Sequence, residues 1–434
     1  MSDEMLERST IRAVAWRLLP LILLGYLVSY IDRVNISFAA PTMNAQLGFT
    51  ASVYGFGGGL FFISYAILEV PSNLALARIG AKRWLARIMI TWGLVAMSMA
   101  LVRTDWQFYL VRFLLGAAEA GFFPGVIYYL GLWFPQSHRG RAISRFYIAA
   151  PLASVVMGAV AGSLLGLDGH LGLHGWQWLL MAEGAPAVIL AFVFLRWLPD
   201  RPADAAWLSP EQKAWLQSRL AADNAAVAAP EHGQVRALFR PVVIALVAVN
   251  FLYLGPYYAF TLSAPTILRE ATGLDAAHVG YLVAAGGITG AIGMAATGWS
   301  SDRLRERYLH LAVPLILAAA CFAVIAFVPA GPVVMAAYLA MMACYFGISA
   351  AFWLAPGEIV HPRAVAVTVA AINGLGQVGS FVFPWLWGLA KDRTGGFHLG
   401  LSLLPAAFLI AAAIVMGLRQ AQRRRAPALR PDPA

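Results

Sequence analysis

Charged side chains are scarce in this sequence. Asp, Glu, Lys and Arg make up 12% of its 434 residues, whereas 60% of the residues are hydrophobic and the mean hydropathy is +0.71. A soluble core of a chain this long cannot bury so much apolar surface. The composition therefore excludes a water-soluble protein and indicates a protein embedded in a membrane.

Cysteine is nearly absent, and the few histidines are poorly placed for chemistry. Cys321 and Cys344 both fall inside predicted helices, so no disulfide framework is expected. The eight histidines fall in predicted turns or at helix ends, and the pair His170 and His174 shares a glycine-rich turn. A membrane-embedded hydrolase or metalloenzyme would cluster such residues within the bilayer. We therefore expect no enzymatic activity, no metal site and no cofactor.

Hydrophobic segments of about 20 residues, the length that crosses a bilayer core as a helix, recur along the whole chain. Helices are favoured over strands, because open strands would leave backbone groups unpaired in lipid. The predicted fold is all-α and integral to the membrane, with twelve transmembrane helices. The segments are 16–39, 52–76, 85–103, 107–133, 143–167, 176–198, 240–266, 278–299, 311–329, 333–355, 365–390 and 399–419.

A polar stretch divides the twelve segments into two groups of six. The short basic turns after the second and eighth segments resemble each other, which indicates two pseudo-symmetric bundles, alternating access and a substrate site where the repeats meet. The predicted domains are an N-terminal bundle at 1–198, a cytoplasmic linker at 199–239, a C-terminal bundle at 240–420 and a cytoplasmic basic tail at 421–434.

The linker contains one recognisable helix start. Ser209-Pro210-Glu211-Gln212 has the form of a capping box with proline at the first helical position. The helix that follows carries Trp215, Leu216 and Leu220 on one side. This pattern suits a helix lying on the membrane surface or against a bundle, and equally a solvated linker helix.

Basic residues are distributed unevenly between the two sides of the predicted membrane. If the N-terminus is cytoplasmic, the other side keeps only Arg103, Arg269, Lys391 and Arg393. By the positive-inside rule both termini are then cytoplasmic. The formal charge of +10 is spread over every cytoplasmic turn, so it predicts no nucleic-acid partner.

Six ionisable residues interrupt the apolar helices of the first half. Each costs about 2.5 to 3.5 kcal/mol at a helix centre, so each needs a partner, water or a function. The second half offers hydroxyl, amide and aromatic groups instead. The six residues are Asp32 and Arg33 in the first helix, Glu69 in the second, Arg112 and Glu119 in the fourth, and Glu183 in the sixth.

Helix geometry suggests how four of these charges pair. Asp32 is turned about 100° from Arg33, and Arg112 and Glu119 lie about 10 Å apart along one stripe. The economical arrangement pairs Asp32 with Arg112 and Arg33 with Glu119 across the two helices. Such pairs either bind substrate and protons or merely fix helix register.

Glu69 and Glu183 are interpreted differently. They stand beside proline in "LEVPSN" and "AEGAPA", which predicts positions toward helix ends. Capping backbone groups or bracing loops is the expected function there, so both residues are left out of the predicted core site.

Four stretches of the sequence resemble one transporter family. "YIDRVNISFA", "RFLLGAAEAGFFPGVIYYLGLWFP", "GLDGHLGLHGWQWLLMAEGAPAV" and "WLPDRPADAAWLSPEQKAWL" are similar to the anion:cation symporter family of the major facilitator superfamily. The resemblance covers essentially the whole chain. It implies the major facilitator fold and proton-coupled import of organic anions such as tartrate, sugar acids, phthalate or hydroxyphenylacetate.

The resemblance also implies site residues. Arg33 would bind the substrate carboxylate, Asp32 and Glu119 would be the protonatable acids that couple transport to protons, and Arg112 would be a charge partner. The groups lining the substrate would be Tyr30 and Tyr65 from the first half and Trp353 and Asn373 from the second. Tyr65 could equally be a core tyrosine, and Trp353 an interface anchor.

The gating turns depart from the superfamily pattern in one half. The usual Asp-Arg pair of the first half reads Ala77-Arg78, whereas Asp302-Arg303 keeps the pair in the second half. The first-half latch therefore lacks its acid at this position, and we expect the energetics of gating to differ between the halves.

The expected function is secondary active transport. Protonation of Glu119 would free Arg33 to bind an incoming carboxylate, because removal of a carboxyl group from water favours its neutral form. The expected partners are a small organic anion, protons and the lipid of a bacterial inner membrane, with the protein a monomer. The alternatives are a facilitator or antiporter of organic anions or drugs and, with less support, a membrane sensor.

Overall fold

The computed structural model describes residues 3–226, 238–353 and 365–425. These residues form helices joined by turns and contain no β-strand. In chain order the α-helices are α1 (Asp3–Leu47), α2 (Ala51–Ile79), α3 (Ala81–Ser98), α4 (Asp105–Glu119), α5 (Phe122–Gly131), α6 (Gln136–Tyr147), α7 (Ala149–Leu165), α8 (Gly175–Trp197), α9 (Pro210–Ala226), α10 (Pro241–Thr261), α11 (Ala264–Thr272), α12 (Ala276–Leu304), α13 (Tyr308–Phe327), α14 (Gly331–Phe352), α15 (Val365–Thr394) and α16 (His398–Arg425).

Within the described residues, twelve helical spans are long and apolar enough to cross a membrane. Two of these spans are built from consecutive helices, α4 with α5 and α6 with α7. The prediction of an all-α membrane protein with twelve spanning helices is confirmed. Several helices run beyond the apolar segments that the sequence marked, because their ends carry polar turns outside the hydrophobic core.

The chain packs as two compact units. The first comprises Met1–Leu47 and Leu60–Pro230, and the second comprises Gly48–Gly59 and Glu231–Ala434. This grouping differs from the predicted domain boundaries in two respects. The linker helix α9 belongs to the first unit, and the first nine residues of α2 belong to the second.

The linker helix packs on the first unit rather than standing in solvent. Ser209 and Gln212 form the predicted capping box, with the Gln212 backbone N–H donating to Ser209 Oγ at 3.2 Å and the Ser209 N–H donating to Gln212 Oε1 at 3.1 Å. Gln212 Nε2 also donates to Ser9 Oγ of α1 at 3.3 Å. Leu216 is fully buried. Of the two interpretations of the linker helix, the structure supports docking against a bundle.

The start of α2 is fixed within the second unit by an acid at the end of α15. The carboxylate of Asp392 accepts from the backbone N–H of Ala51 at 2.9 Å and from that of Ser52 at 2.8 Å. The two bonds satisfy orphan donors at a helix N-terminus, where negative charge is favourable. The second unit therefore holds the beginning of a helix whose remaining turns pack in the first unit.

Candidate functional site

A buried ion pair joins α1 and α4 inside the first unit. Arg33 donates to Glu119 Oε1 from Nε at 3.0 Å and from Nη2 at 2.7 Å. Ser29, one turn before Arg33, donates from Oγ to the same oxygen at 2.6 Å. The Glu119 side chain is fully buried, and that of Arg33 is 9% exposed. The pairing of Arg33 with Glu119 that the helix geometry predicted is confirmed.

A break between α4 and α5 places Glu119 at the end of a helix. Glu119 is the last residue of α4, and Gly121 then adopts a left-handed backbone with φ of 88°. A Cβ on Gly121 would collide with the side chain of Ser72 on α2. Only glycine combines this backbone with such a close approach. The break aims Glu119 at α1, and unwound helices of this kind commonly form transporter sites.

Aromatic rings surround the guanidinium of Arg33. Its Cζ lies 5.0 Å from the ring centroid of Tyr65, 5.6 Å from that of Phe61 and 5.9 Å from that of Tyr30. Tyr65 and Tyr30 are buried, and both belong to the same unit as Arg33. A cation held over ring faces remains stabilised when its carboxylate partner changes. The two predicted tyrosines are therefore placed where they contact the predicted anion receptor.

Asp32 and Arg112 lie in the same buried charge cluster as Arg33 and Glu119, but the contacts described for them are of a different kind. Asn35 Nδ2 donates to Asp32 Oδ1 at 3.3 Å, and Asp32 interacts electrostatically with both Arg112 and Glu119. The Arg112 guanidinium stands 5.0 Å from the ring centroid of Phe61. Asp32 and Arg112 are each 2% exposed. Four charges are thus gathered between α1 and α4, with Phe61 contacting both arginines.

The predicted helix-end positions of Glu69 and Glu183 are wrong. Glu69 lies inside α2 and is 8% exposed, and Glu183 lies inside α8 and is 6% exposed. Pro71 and Pro186 do not end these helices. Within a membrane bundle neighbouring helices satisfy the backbone groups that proline releases, so the helices continue.

The two predicted substrate-lining residues of the second half lie in the second unit. Trp353 follows the last residue of α14, partly exposed and edge-on to Phe352, with ring centroids 5.2 Å apart. Asn373 is partly exposed on α15. One residue earlier on α15, the backbone oxygen of Ile372 accepts from Asn250 Nδ2 of α10 at 2.9 Å. Nothing about their contact with substrate follows from these positions, so their function stays a prediction.

Four tyrosines form a polar aromatic cluster in the second unit. The rings of Tyr257 and Tyr345 stack, at an interplanar angle of 5°, and Tyr253 and Tyr258 pack beside them. All four are buried. The sequence indicated hydroxyl and aromatic groups in the second half but assigned none of these four tyrosines to the site.

The two predicted gating turns each have an acid nearby, and in the first half this acid comes from elsewhere in the chain. Asp302 Oδ1 pairs with Arg307 at 2.7 Å, and Arg303 lies 5.3 Å from the ring centroid of Trp299. Arg78 lies in the last turn of α2. There Asp200, which follows α8, accepts the backbone N–H of Lys82 at 2.9 Å. An acid from elsewhere in the chain thus occupies the N-terminus of α3, next to the turn that lacks its own.

Sequence reasoning missed two residues of the charge cluster, Ser29 and Asn35. Both are short polar side chains, which occur in many membrane helices for packing or backbone hydrogen bonding and so carry no distinctive signal. Spacing could have identified them, since Ser29 stands four residues before Arg33 and Asn35 stands three after Asp32. Each therefore shares a face with one member of the Asp32-Arg33 pair.

Twelve membrane-spanning helices among the described residues, with a charge cluster buried in the first unit, are typical of a multi-pass membrane protein that moves a solute. The sequence agrees with this class: residues 22–384 match the model of the Major Facilitator Superfamily. The chain belongs to that superfamily. It is a transport protein and not an enzyme, and the resemblance that the sequence motifs indicated is confirmed.

Similar proteins support this membership. The chain is 41% identical over 405 residues to a "Quinolone resistance transporter" of Acinetobacter baumannii, covering 93% of each chain. It is also 41% identical over 414 residues to a "Putative tartrate transporter" of Agrobacterium vitis, covering 95% of this chain and 91% of the other. A bacterial homologue of the human lysosomal transporter Spinster has the same fold, with a TM-score of 0.75, 16% identity, and coverage of 93% and 96%.

Proposed function

We propose that the protein imports a small organic carboxylate together with protons, by symport with alternating access. The observation that carries this proposal is the Arg33 guanidinium, buried between aromatic rings and neutralised by Glu119. Arginine binds carboxylates through two parallel hydrogen bonds, so the partner that neutralises Arg33 can be replaced by a substrate carboxylate.

Proton coupling follows from the competition between two carboxylates for one cation. While Glu119 is ionised it occupies two donor groups of Arg33. Protonation removes its charge, and the released guanidinium needs another anion because an unpaired buried charge is costly. Binding of the substrate anion and protonation of Glu119 therefore favour each other, which is the linkage that symport requires.

Asp32 is the second proposed proton acceptor. It is 2% exposed and interacts with Glu119, so the two acids disfavour simultaneous ionisation. Arg112 is proposed as the charge partner that keeps the cluster neutral when Asp32 is ionised. Tyr30 and Tyr65 would line the anion, with Trp353 and Asn373 contributed by the second half.

The substrate class is supported by two relatives. Two relatives named putative tartrate transporters are each 41% identical to this chain. A small hydroxylated dicarboxylate would suit an arginine with neighbouring hydroxyl and amide groups. We propose the inner membrane as its location and a cytoplasmic position for both termini, because the basic residues lie mostly on that side.

The test is uptake into proteoliposomes under an imposed inward proton gradient, with radiolabelled tartrate, sugar acids and aromatic carboxylates. We expect one class of anion to accumulate in wild type only when the gradient is present. Arg33→Ala should abolish uptake, whereas Arg8→Ala, which removes an exposed arginine paired with Glu4, should not. Uptake that ignores the gradient, or that survives Arg33→Ala, would contradict the proposal.

A second candidate function is export of a drug. The observation that favours it is the 41% identity to a relative named a quinolone resistance transporter. The two functions differ in the direction of coupling. If energisation drives quinolones out of cells or into inverted vesicles, and quinolones compete with no carboxylate for uptake, export is the better account.

A further inference from the structure

A buried acid in α8 has no assigned function in the site described above. Glu183 is 6% exposed, and neither of its carboxylate oxygens has a hydrogen-bond partner among the described residues. Burying a carboxylate without a hydrogen bond or a cation is among the most costly arrangements in a membrane bundle. A carboxyl group buried in this way is expected either to be neutralised by a bound proton or to serve a function that compensates for the cost of burial.

Helix register places Glu183 beside the charge cluster. Near one end of the α1–α8 contact, a Cβ on Gly25 would lie 2.9 Å from Cζ of Phe194. Near the other end, Trp176 Nε1 donates to Gln46 Oε1 at 2.6 Å. The helices therefore run antiparallel along their shared length, and Glu183 falls at the level of Asn35, about 15 Å from the Gly25 contact.

Electrostatic contacts agree with this register. Glu183 lies near the Asn35 amide without meeting the geometry of a hydrogen bond, and it is close enough to interact with the charge of Asp32. Asn35 in turn donates from Nδ2 to Asp32 Oδ1 at 3.3 Å, and Asp32 Oδ2 has no hydrogen-bond partner in the described part of the chain. Asn35 is 2% exposed. A single buried amide thus stands between two carboxyl groups.

α1 therefore presents two polar faces to two different helices. Ser29 and Arg33, four residues apart, turn toward Glu119. Asp32 and Asn35, three residues apart, share a face on one side of Arg33, rotated from it by about 100° and about 160° respectively. Within the charge cluster, the adjacent Asp32 and Arg33 therefore have different hydrogen-bond partners, Asn35 and Glu119.

Among the described residues that pack against α8, no cation stands beside Glu183, since Arg33 of α1 pairs with Glu119. α7 and the turn at Met99–Leu101 contain no titratable residue. α3 carries Lys82, Arg83 and Arg87 in its first seven positions, N-terminal to the part that contacts α8 beside Glu183.

The contact between α3 and α8 and the positions of Arg87 and Arg196 agree that these basic residues lie away from Glu183. A Cβ on Gly93 of α3 would lie 2.7 Å from the backbone oxygen of Gly184, so the two helices touch closely next to Glu183. Arg87 lies over the ring of Trp84 at 4.0 Å, and Arg196 of α8 itself stands in that helix's last turn. The charged group that faces Glu183 is therefore Asp32, an acid.

We propose that Glu183, Asn35 and Asp32 form one proton-binding unit, in which the two carboxyl groups hold a proton in common across the Asn35 amide. The amide nitrogen donates to whichever carboxyl group is ionised, and the amide oxygen accepts from the protonated one. Two carboxyl groups at one buried site disfavour double ionisation, so loss of a proton from one strengthens proton binding at the other. This inference rests on the proposed symport and adds a third acid to its proton path.

Infrared difference spectroscopy of the reconstituted protein tests the unit without any transport. The carbonyl stretching band of protonated carboxyl groups is followed against pH in wild type, Asp32→Asn and Glu183→Gln. The band lost in each variant identifies its own carboxyl group, and the remaining group is then titrated. Glu69→Gln serves as the matched control, because it neutralises another buried acid of the same unit.

We expect each variant to shift the titration midpoint of the other acid to lower pH by about one unit, a tenfold change in proton affinity. Linkage requires the two shifts to be equal. Glu69→Gln should move neither midpoint. Midpoints of Asp32 and Glu183 that stay in place when the other acid is neutralised would overturn the proposal, and so would a band at Glu183 that does not titrate.

Transport separates this inference from the proposed function. In Glu183→Gln, the pH at which gradient-driven uptake falls by half should move to lower values together with the Asp32 midpoint. If wild type shows no gradient-driven uptake while the midpoints still move together, symport fails and the proton-binding unit stands. If wild type accumulates the anion but the midpoints are independent, symport stands and the unit is wrong.

Discussion

The Arg33 and Glu119 side chains form a pair in which either member alone would be unstable. Glu119 is fully buried, and Arg33 reaches it with two hydrogen bonds while a serine hydroxyl reaches the same oxygen. Removing one partner of such a pair leaves a buried charge that must be neutralised, whereas replacing that partner by another anion does not. The pair therefore supports the proposal that a substrate anion replaces Glu119 at Arg33.

Arg33→Ala should weaken anion binding by roughly 2 to 5 kcal/mol, because it removes one member of a buried hydrogen-bonded charge pair. Binding of the transported anion to detergent-solubilised protein, measured by isothermal titration calorimetry, would show this as a loss of affinity of about 1.5 to 3.5 orders of magnitude. Arg33→Lys should recover only part of the affinity, because an ammonium group cannot form the two parallel bonds of a guanidinium. Equal affinity in all three proteins would exclude Arg33 from the anion site.

Tyr65 provides a second residue-scale prediction. Its ring centroid lies 5.0 Å from the Arg33 Cζ, and its side chain is buried. Tyr65→Leu should weaken anion binding by about 0.5 to 2 kcal/mol through loss of the cation–π contact. Tyr65→Phe keeps the ring and should weaken binding less. If the two variants lose the same affinity, the ring face is not what stabilises Arg33.

At this scale the sequence predicted the charges better than their neighbours. Arg33 and Glu119 could be paired in advance because intramembrane charges are rare and helix geometry restricts their partners. Ser29 and Asn35 could not, since serine and asparagine are ordinary in membrane helices. Glu183 was misplaced because proline was interpreted as the end of a helix, and a bundle satisfies the backbone groups that proline releases.

At the scale of helices, the break between α4 and α5 positions the site. Glu119 ends α4, and the left-handed Gly121 turns the chain before Phe122 begins α5. The sequence predicted one continuous segment at 107–133, because hydropathy is the same on both sides of the break. Twelve spans could be predicted from length and hydropathy, but an interruption inside a span depends on one glycine and on the close approach of α2.

Gly121→Ala should disrupt the break. Alanine carries a Cβ that collides with Ser72, and it disfavours the φ of 88° by about 1 to 2 kcal/mol. We expect lower thermal stability and loss of uptake. Gly140→Ala is the control, since nothing lies within 4 Å of a Cβ at Gly140. Normal uptake in Gly121→Ala would show that the break does not position Glu119.

The N-terminus of α12 gives a prediction with a defined pH dependence. Asp275 caps this helix, with the backbone N–H of His278 donating to Oδ1 at 2.9 Å, and that bond lowers the pKa of Asp275 below its ordinary value. A lowered pKa in the folded state means that the cap stabilises above the unfolded-state pKa and is lost as the pH falls through the folded-state pKa. Below about pH 4 the melting temperature of wild type should therefore fall slightly as this cap is lost. Asp275→Asn has no carboxyl group at this position and should not show that fall. Parallel pH profiles of the two proteins would contradict it.

At the scale of the whole molecule, the two units divide the chemistry. The first contains the charge cluster of Asp32, Arg33, Arg112 and Glu119, whereas the second contains the tyrosine cluster and the amides of Asn250 and Asn373. The sequence predicted this division, since its buried charges all fall in the first half. It did not predict that the first residues of α2 pack with the second unit, because residue types do not indicate which neighbour a helix end will contact.

The charge balance of the whole cycle leads to a measurable consequence. If two protons enter with each monovalent anion, one net positive charge crosses the membrane, and a potential of 100 mV contributes about 2.3 kcal/mol. A potassium diffusion potential, negative inside and applied without a pH gradient, should then increase accumulation of the anion. A potential that leaves accumulation unchanged would indicate one proton for each monovalent anion.

The most direct test of the central claim compares two assays on Glu119→Gln in the same proteoliposomes. The claim is that protonation of Glu119 releases Arg33 to bind the anion. Glutamine is uncharged like protonated glutamate, so the variant should exchange labelled for unlabelled anion across the membrane but should not accumulate the anion against its gradient when protons are driven inward. Accumulation equal to wild type, with the same dependence on the proton gradient, would contradict the claim.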